Sequence, residues 1–84
     1  MLYCLIMCRS LTYAQRAARE LERAGITAVV TRAPQGVTDT GCAHCVRLAQ
    51  KRLGDALQLL RQAGHSPGRV FLLEADGNYR EVRP

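Results

Sequence analysis

The sequence predicts an α+β protein. The expected architecture is a ferredoxin-like βαββαβ sandwich, a four-stranded antiparallel sheet with two helices on one face. Three observations predict it. Apolar or β-branched runs stand at 2–8, 26–31, 45–49 and 70–75. Stretches with helical spacing separate the first run from the second and the third from the fourth. The segments Leu21-Glu-Arg-Ala-Gly25 and Leu60-Arg-Gln-Ala-Gly64 echo each other, each ending a helix before a strand.

Residues 2–8 form a continuous apolar run suited to a central strand. Thr12-Tyr-Ala-Gln15 then reads as a helix capping box, with Ser10 as a rival cap. Ala14, Ala17, Ala18, Leu21 and Ala24 recur at helical spacing, and Arg16, Arg19, Glu20 and Arg23 cover the other side. Gly25 follows where a left-handed residue ends a helix. Ile26 to Thr31 is β-branched and reads as the second strand. Residues 33–41 are rich in turn formers. Residues 45–49 read as a short third strand. Residues 52–63 read as the second helix, with Leu53, Ala56, Leu57, Leu60 and Ala63 on one face and Gly64 at its end. Val70 to Ala75 reads as the fourth strand, and Asp76-Gly77 signals a turn before a short tail that could close a hairpin. A rival pattern runs through Val46, Ala49, Leu53, Ala56 and Leu60, which also fit one long helix starting near Cys42. Gly54 weakens that helix by about 1 kcal/mol relative to Ala.

The chain of 84 residues is expected to be one domain over 1–84. Hydrophobic residues make up 48%, enough for one packed core and too many for a disordered chain. Aromatics are few, so Leu, Val, Ile and Ala must build that core. The net charge is +5, and every basic residue but Lys51 is Arg. These bases are scattered from Arg9 to Arg83 and form no dense run, which argues against nucleic acid as a partner. No stretch approaches the roughly 20 apolar residues that span a bilayer, so no membrane partner is expected. The apolar start lacks the basic leader of a secretory signal. The expected compartment is the reducing cytoplasm, where paired cysteines serve metal or redox chemistry more often than structural disulfides.

The cysteines are Cys4, Cys8, Cys42 and Cys45. The thiolate is both nucleophile and metal ligand, and Cys-x-x-Cys settings lower its pKa from about 8.5 into a range of roughly 3.5–7.5. Cys42-Ala-His-Cys45 is therefore the distinctive chemical feature. Cys4, inside an apolar strand, reads as core packing. In the expected sheet the first and third strands are central neighbours. Cys8, Ser10, Cys42 and Cys45 then share one edge with Arg9 and Arg32, at the positive end of the first helix. Cysteines three apart in an extended strand have Cα atoms about 10 Å apart. A disulfide needs about 4.4–6.8 Å, so a Cys42–Cys45 bridge requires a turn. Metal binding is the other reading of Cys42 and Cys45. Zinc takes four ligands, and the pair with His44 supplies three at best, so zinc or copper(I) would be shared between two chains. A structural or regulatory interaction domain with incidental thiols is the third. His65, after a helix-ending Gly, reads as a loop residue. The first strand offers apolar residues to both faces while helices cover only one, which leaves the other face open to a homodimer.

Over about residues 1–75 the chain resembles the small bacterial selenium/sulfur carrier protein-like family. The resemblance rests on the apolar strand at 2–8, Ala24-Gly25-Ile26, Ala33-Pro34, Thr40-Gly41-Cys42-Ala43, the helix from Asp55 to Gly64, and Val70 onward. The family's cysteine falls on Cys42. The glycine usual after it is Ala43 here, and Gly41 precedes the cysteine instead. Cys45 looks like an addition made in part of the family. The resemblance implies a carrier rather than an enzyme with turnover. It would hold selenium or sulfur on Cys42 as a persulfide or selenopersulfide, need no other cofactor, and work between a chalcogen donor and an acceptor protein. A second thiol such as Cys45 would resolve the product by exchange.

Overall fold

The computed structural model describes residues 2–34 and 44–82. The elements in chain order are β1 (Tyr3–Cys8), α1 (Leu11–Arg23), β2 (Ala28–Arg32), β3 (His44–Ala49), α2 (Leu53–Gln62), β4 (Val70–Leu73) and β5 (Tyr79–Val82). A 3₁₀ turn, Gln50–Arg52, leads into α2. The strands form one antiparallel sheet in the order β2-β3-β1-β4-β5. The expectation of four strands is corrected to five. The Asp76-Gly77 turn returns the chain as β5 along β4, with Leu73 opposite Tyr79 and Val70 opposite Val82. Gly77 takes φ 87°, and the Asp76 carboxylate accepts the Asn78 N–H, so the turn chemistry explains the added strand.

The segment before α2 is β3 and not the start of a long helix. It pairs with β1 on one side and β2 on the other, and buries Cys45 on one face and Val46 and Leu48 on the other. Val46 and Leu48 face the same side as Ile6 and Cys4 of β1. Cross-strand burial on both flanks outweighs the helical stripe that the same residues also fit.

Both helices pack on one face of the sheet. Ala14, Ala17, Ala18 and Leu21 of α1, with Ala56, Leu57 and Leu60 of α2, close over Cys4, Ile6, Cys8, Val46, Leu48 and Val70. The N-cap of α1 is Ser10, not the Thr12 box. The Ser10 Oγ accepts the Tyr13 N–H at 3.1 Å from an extended backbone. Both helices end alike, as the sequence echo implies. Gly25 and Gly64 have φ of 83° and 85°. Each is followed by an N–H donating back five residues, Ile26 to the Leu21 carbonyl and His65 to the Leu60 carbonyl.

The opposite face is also apolar. Leu5, Met7, Cys45 and Phe71 form a second buried cluster there, flanked by Ala33 and Tyr79. These four are at most 5% exposed within a single chain. A second copy is not needed to cover them.

Candidate functional site

The sheet places the predicted site residues at one end. β1 finishes there at Cys8, β3 starts at His44 and β2 finishes at Arg32, so Arg32, His44 and Cys8 form one cross-strand row. The β4 strand also starts at this end, because the Met7 N–H donates to the Arg69 carbonyl at 2.8 Å. Arg9 and Ser10 follow Cys8 directly and lead into α1. Cys42 and Gly41 lie outside the described residues.

Strand parity separates the two described cysteines of this end. Side chains alternate between faces along a strand. Cys8 lies opposite His44 and packs under the helices, whereas Cys45 lies opposite Met7 and Thr31 and belongs to the helix-free cluster. The two share an edge, as the sequence implies, but sit on opposite faces. Both are buried, with 3% of Cys8 and none of Cys45 exposed. The Cys8 Sγ donates to the Ile6 carbonyl at 3.6 Å. Among the described residues no disulfide forms, and Cys4, Cys8 and Cys45 are thiols. Burial of Cys4 pushes its thiol up to about 11, because the anion would lose its hydration.

Ser10 is occupied in capping α1. Arg9 lies over the Tyr13 ring, with its guanidinium carbon 4.6 Å from the ring centre. Neither Arg9 nor Arg32 pairs with a carboxylate among the described residues. At the edge from which β3 starts, two cations thus lack a carboxylate partner among the described residues, and both favour a nearby anion. Arg69 is engaged instead, with its Nε and Nη2 each donating to a Glu81 carboxylate oxygen at 2.8 Å.

Sequence reading missed the role of Tyr13, His65 and Ser66. The Tyr13 ring meets His65 edge-on at 5.3 Å, and its hydroxyl accepts the Ser66 N–H. His65 is thus half-buried against α1 rather than a bare loop residue. Tyr13 ties the loop after α2 to the first turn of α1, beside Arg9. The only sequence signal was a single aromatic in an alanine-rich helix. Among the described residues no three His, Cys, Asp or Glu side chains gather to hold a metal. No helix among them is long and apolar enough to cross a membrane.

Fold and edge together define a small α+β cysteine protein that buries Cys4, Cys8 and Cys45 and places Arg9 and Arg32 at the end of the sheet where β3 starts. The chain belongs to the family described as Putative Se/S carrier protein-like, which matches residues 3–71. No curated protein and no solved structure matches the chain.

Proposed function

We propose that this protein carries sulfur or selenium on Cys42 and hands it from a donor to an acceptor. One observation carries the reading: in a chain of this family, Cys4, Cys8 and Cys45 are all buried. A carrier thiol must meet other proteins and must ionise. Burial keeps these three thiols from meeting another protein, and Cys4 is further disfavoured by its raised pKa. Cys42 is left as the loaded residue. Cys42 precedes His44, the first residue of β3, by two positions in the sequence. Arg9 and Arg32, at the edge where β3 starts, stabilise a thiolate or persulfide anion.

Loading is an exchange that needs no outside oxidant. The Cys42 thiolate attacks the terminal sulfur of a donor persulfide. The donor S–S bond breaks, the donor leaves as a thiolate, and Cys42 becomes Cys–S–S⁻. Delivery reverses the roles: an acceptor nucleophile takes the terminal atom and the Cys42 thiolate leaves. Selenium follows the same electron count. Cys45 is the candidate resolving thiol, and it acts only once its apolar cluster opens. The strand order β2-β3-β1-β4 supports reading the framework as ferredoxin-like with an added hairpin strand. Persistent thiols are best kept in a reducing cytoplasm.

Intact mass after reaction with inorganic tetrasulfide tests the reading. The expected product gains one sulfur atom, releases trisulfide and loses the gain with dithiothreitol. Cys42→Ser abolishes the gain, while Cys8→Ser and Cys45→Ser retain it. A gain that survives Cys42→Ser refutes the assignment.

A further inference from the structure

The end of the sheet away from Cys8 carries a cleft of about 420 Å³. That volume lies within the usual range for small-molecule sites. Its walls include Tyr3 of β1, Ile26 and Val29 at the β2 edge, Arg47 of β3, and Lys51 and Arg52 of the 3₁₀ turn. No carboxylate lines it among the described residues, so the lining is apolar surface and three cations. Tyr3 and Val29 are among the few large apolar side chains left exposed, at 36% and 44%.

Two of the three cations, Arg47 and Lys51, are not neutralised among the described residues. The Arg47 guanidinium carbon lies 4.8 Å from the centre of the Tyr3 ring. Stacking fixes the guanidinium plane and leaves its in-plane N–H groups as donors. Neither Arg47 nor Lys51 has a carboxylate within ion-pair distance among the described residues. The Arg52 Nε is buried and makes no hydrogen bond. It is ion-paired with Asp55 at 3.7 Å, and both residues line a neighbouring shallow groove. Arg47 and Lys51 are therefore the cations of the cleft on which anion binding rests.

We infer that this cleft binds a small organic anion in which a flat aromatic ring is joined to a phosphate, a nucleoside monophosphate in class. The Arg47 fork and Lys51 meet the phosphate, where a dianion suits several converging donors. The ring lies against Val29 and the Tyr3–Arg47 stack. No cysteine lines the cleft, so the inference stands independently of the carrier reading.

The test is an amide-shift titration of the ¹⁵N-labelled full chain with adenosine monophosphate, adenosine and inorganic phosphate at matched ionic strength. Saturable shifts are expected at 25–29 and 47–52 with the monophosphate. Its affinity should exceed that of adenosine or phosphate alone by roughly tenfold, the scale of one good charge-assisted contact. Arg47→Ala should weaken binding by about tenfold, and Arg47→Lys by about threefold because the planar fork is lost. Arg61→Ala, on the exposed side of α2, should bind as the parent does. Arg47 is exposed, and a parent-like spectrum confirms that its variants fold; Lys51→Ala provides a second variant at the site. Non-saturating shifts, equal affinity for phosphate or adenosine alone, or parent-like binding by Arg47→Ala would each overturn the inference.

Discussion

Replacing Gly68 by Ala drives a methyl group into the backbone of β1. An added Cβ would stand 2.4 Å from the Met7 carbonyl oxygen and 3.2 Å from its carbon. Carbon–oxygen contacts normally begin near 3.3 Å, so the loop must retreat by about 1 Å. Two hydrogen bonds hold it in place: Gly68 N–H to the Met7 carbonyl at 3.2 Å, and Met7 N–H to the Arg69 carbonyl at 2.8 Å. Weakening them costs about 1 kcal/mol each, and overpacking costs 1–3 kcal/mol where neighbours are rigid. The expected loss is about 2–3 kcal/mol, or roughly 10–20 °C in Tm for a domain this small. Gly54→Ala is the matched control. Nothing lies within 4 Å of its added Cβ, and Gly54 sits inside α2. Helix propensity there should raise stability by about 0.4–1 kcal/mol. Urea unfolding followed by circular dichroism reads both. If Gly68→Ala matches Gly54→Ala in sign, the close approach of loop and strand is not rigid, and the account of this edge fails.

The other predictions probe the cap, the core and the buried thiol. Ser10→Ala should cost about 1 kcal/mol in urea unfolding, and Ser10→Asp should restore most of it, because either oxygen can accept the Tyr13 N–H. Leu21→Ala, at a fully buried position beneath the sheet, should cost about 2–5 kcal/mol and shift the urea midpoint accordingly. Cys4 should resist iodoacetamide at pH 8 in the native state and react once unfolded, as followed by mass spectrometry. Its pKa is raised from 9.0 to about 11 by burial. Between these values the unfolded chain has released the proton and the native chain has not. This group's contribution to stability is therefore complete below pH 9 and declines as pH rises toward 11. Cys4→Ala should flatten that decline in urea midpoints measured from pH 8 to 11.

Much of the fold was legible because local chemistry and tertiary need agreed. The repeated Leu-x-x-Ala-Gly segments predicted two helix ends, and both form the same glycine-terminated motif. The strands erred mainly in their bounds. Ile26 reads as β-branched strand, yet its N–H is used to close α1, so β2 starts only at Ala28. The Asp76-Gly77 turn points to a closing hairpin, but the expected sheet omits the fifth strand because Tyr79-Arg-Glu-Val82 alternates only weakly. Pairing with β4 and the Arg69–Glu81 ion pair supply what its own pattern lacks. The cap of α1 was ambiguous for a similar reason. Ser10 and Thr12 both carry a hydroxyl, and only the extended φ of −158° at Ser10 decides which one turns back to a helix N–H. The contact between Tyr13 and the loop after α2 joins residues 53 positions apart, and no local signal reports such a pairing.

The cysteines show how sheet register turns a sequence cluster into separate chemical settings. Read along the chain, Cys8 and Cys45 belong to one edge, and the pairing of β1 with β3 confirms that. Their partners differ by one position, however, and one position in a strand is the whole thickness of the sheet. Cys8 goes under the helices with Ile6 and Val46, and Cys45 goes to the other face with Met7 and Phe71. Each is buried within its cluster, which blocks an incoming protein. Direct exchange between these two thiols would have to cross the sheet. A carrier built on this framework therefore cannot rely on them as its point of contact. The proposed contact point is Cys42, which precedes β3 in the sequence, and Arg9 and Arg32 at the edge where β3 starts pair with no carboxylate among the described residues. The burial of Cys8 and Cys45, together with family membership, is why the proposed chemistry is assigned to Cys42 rather than to the pair as a unit.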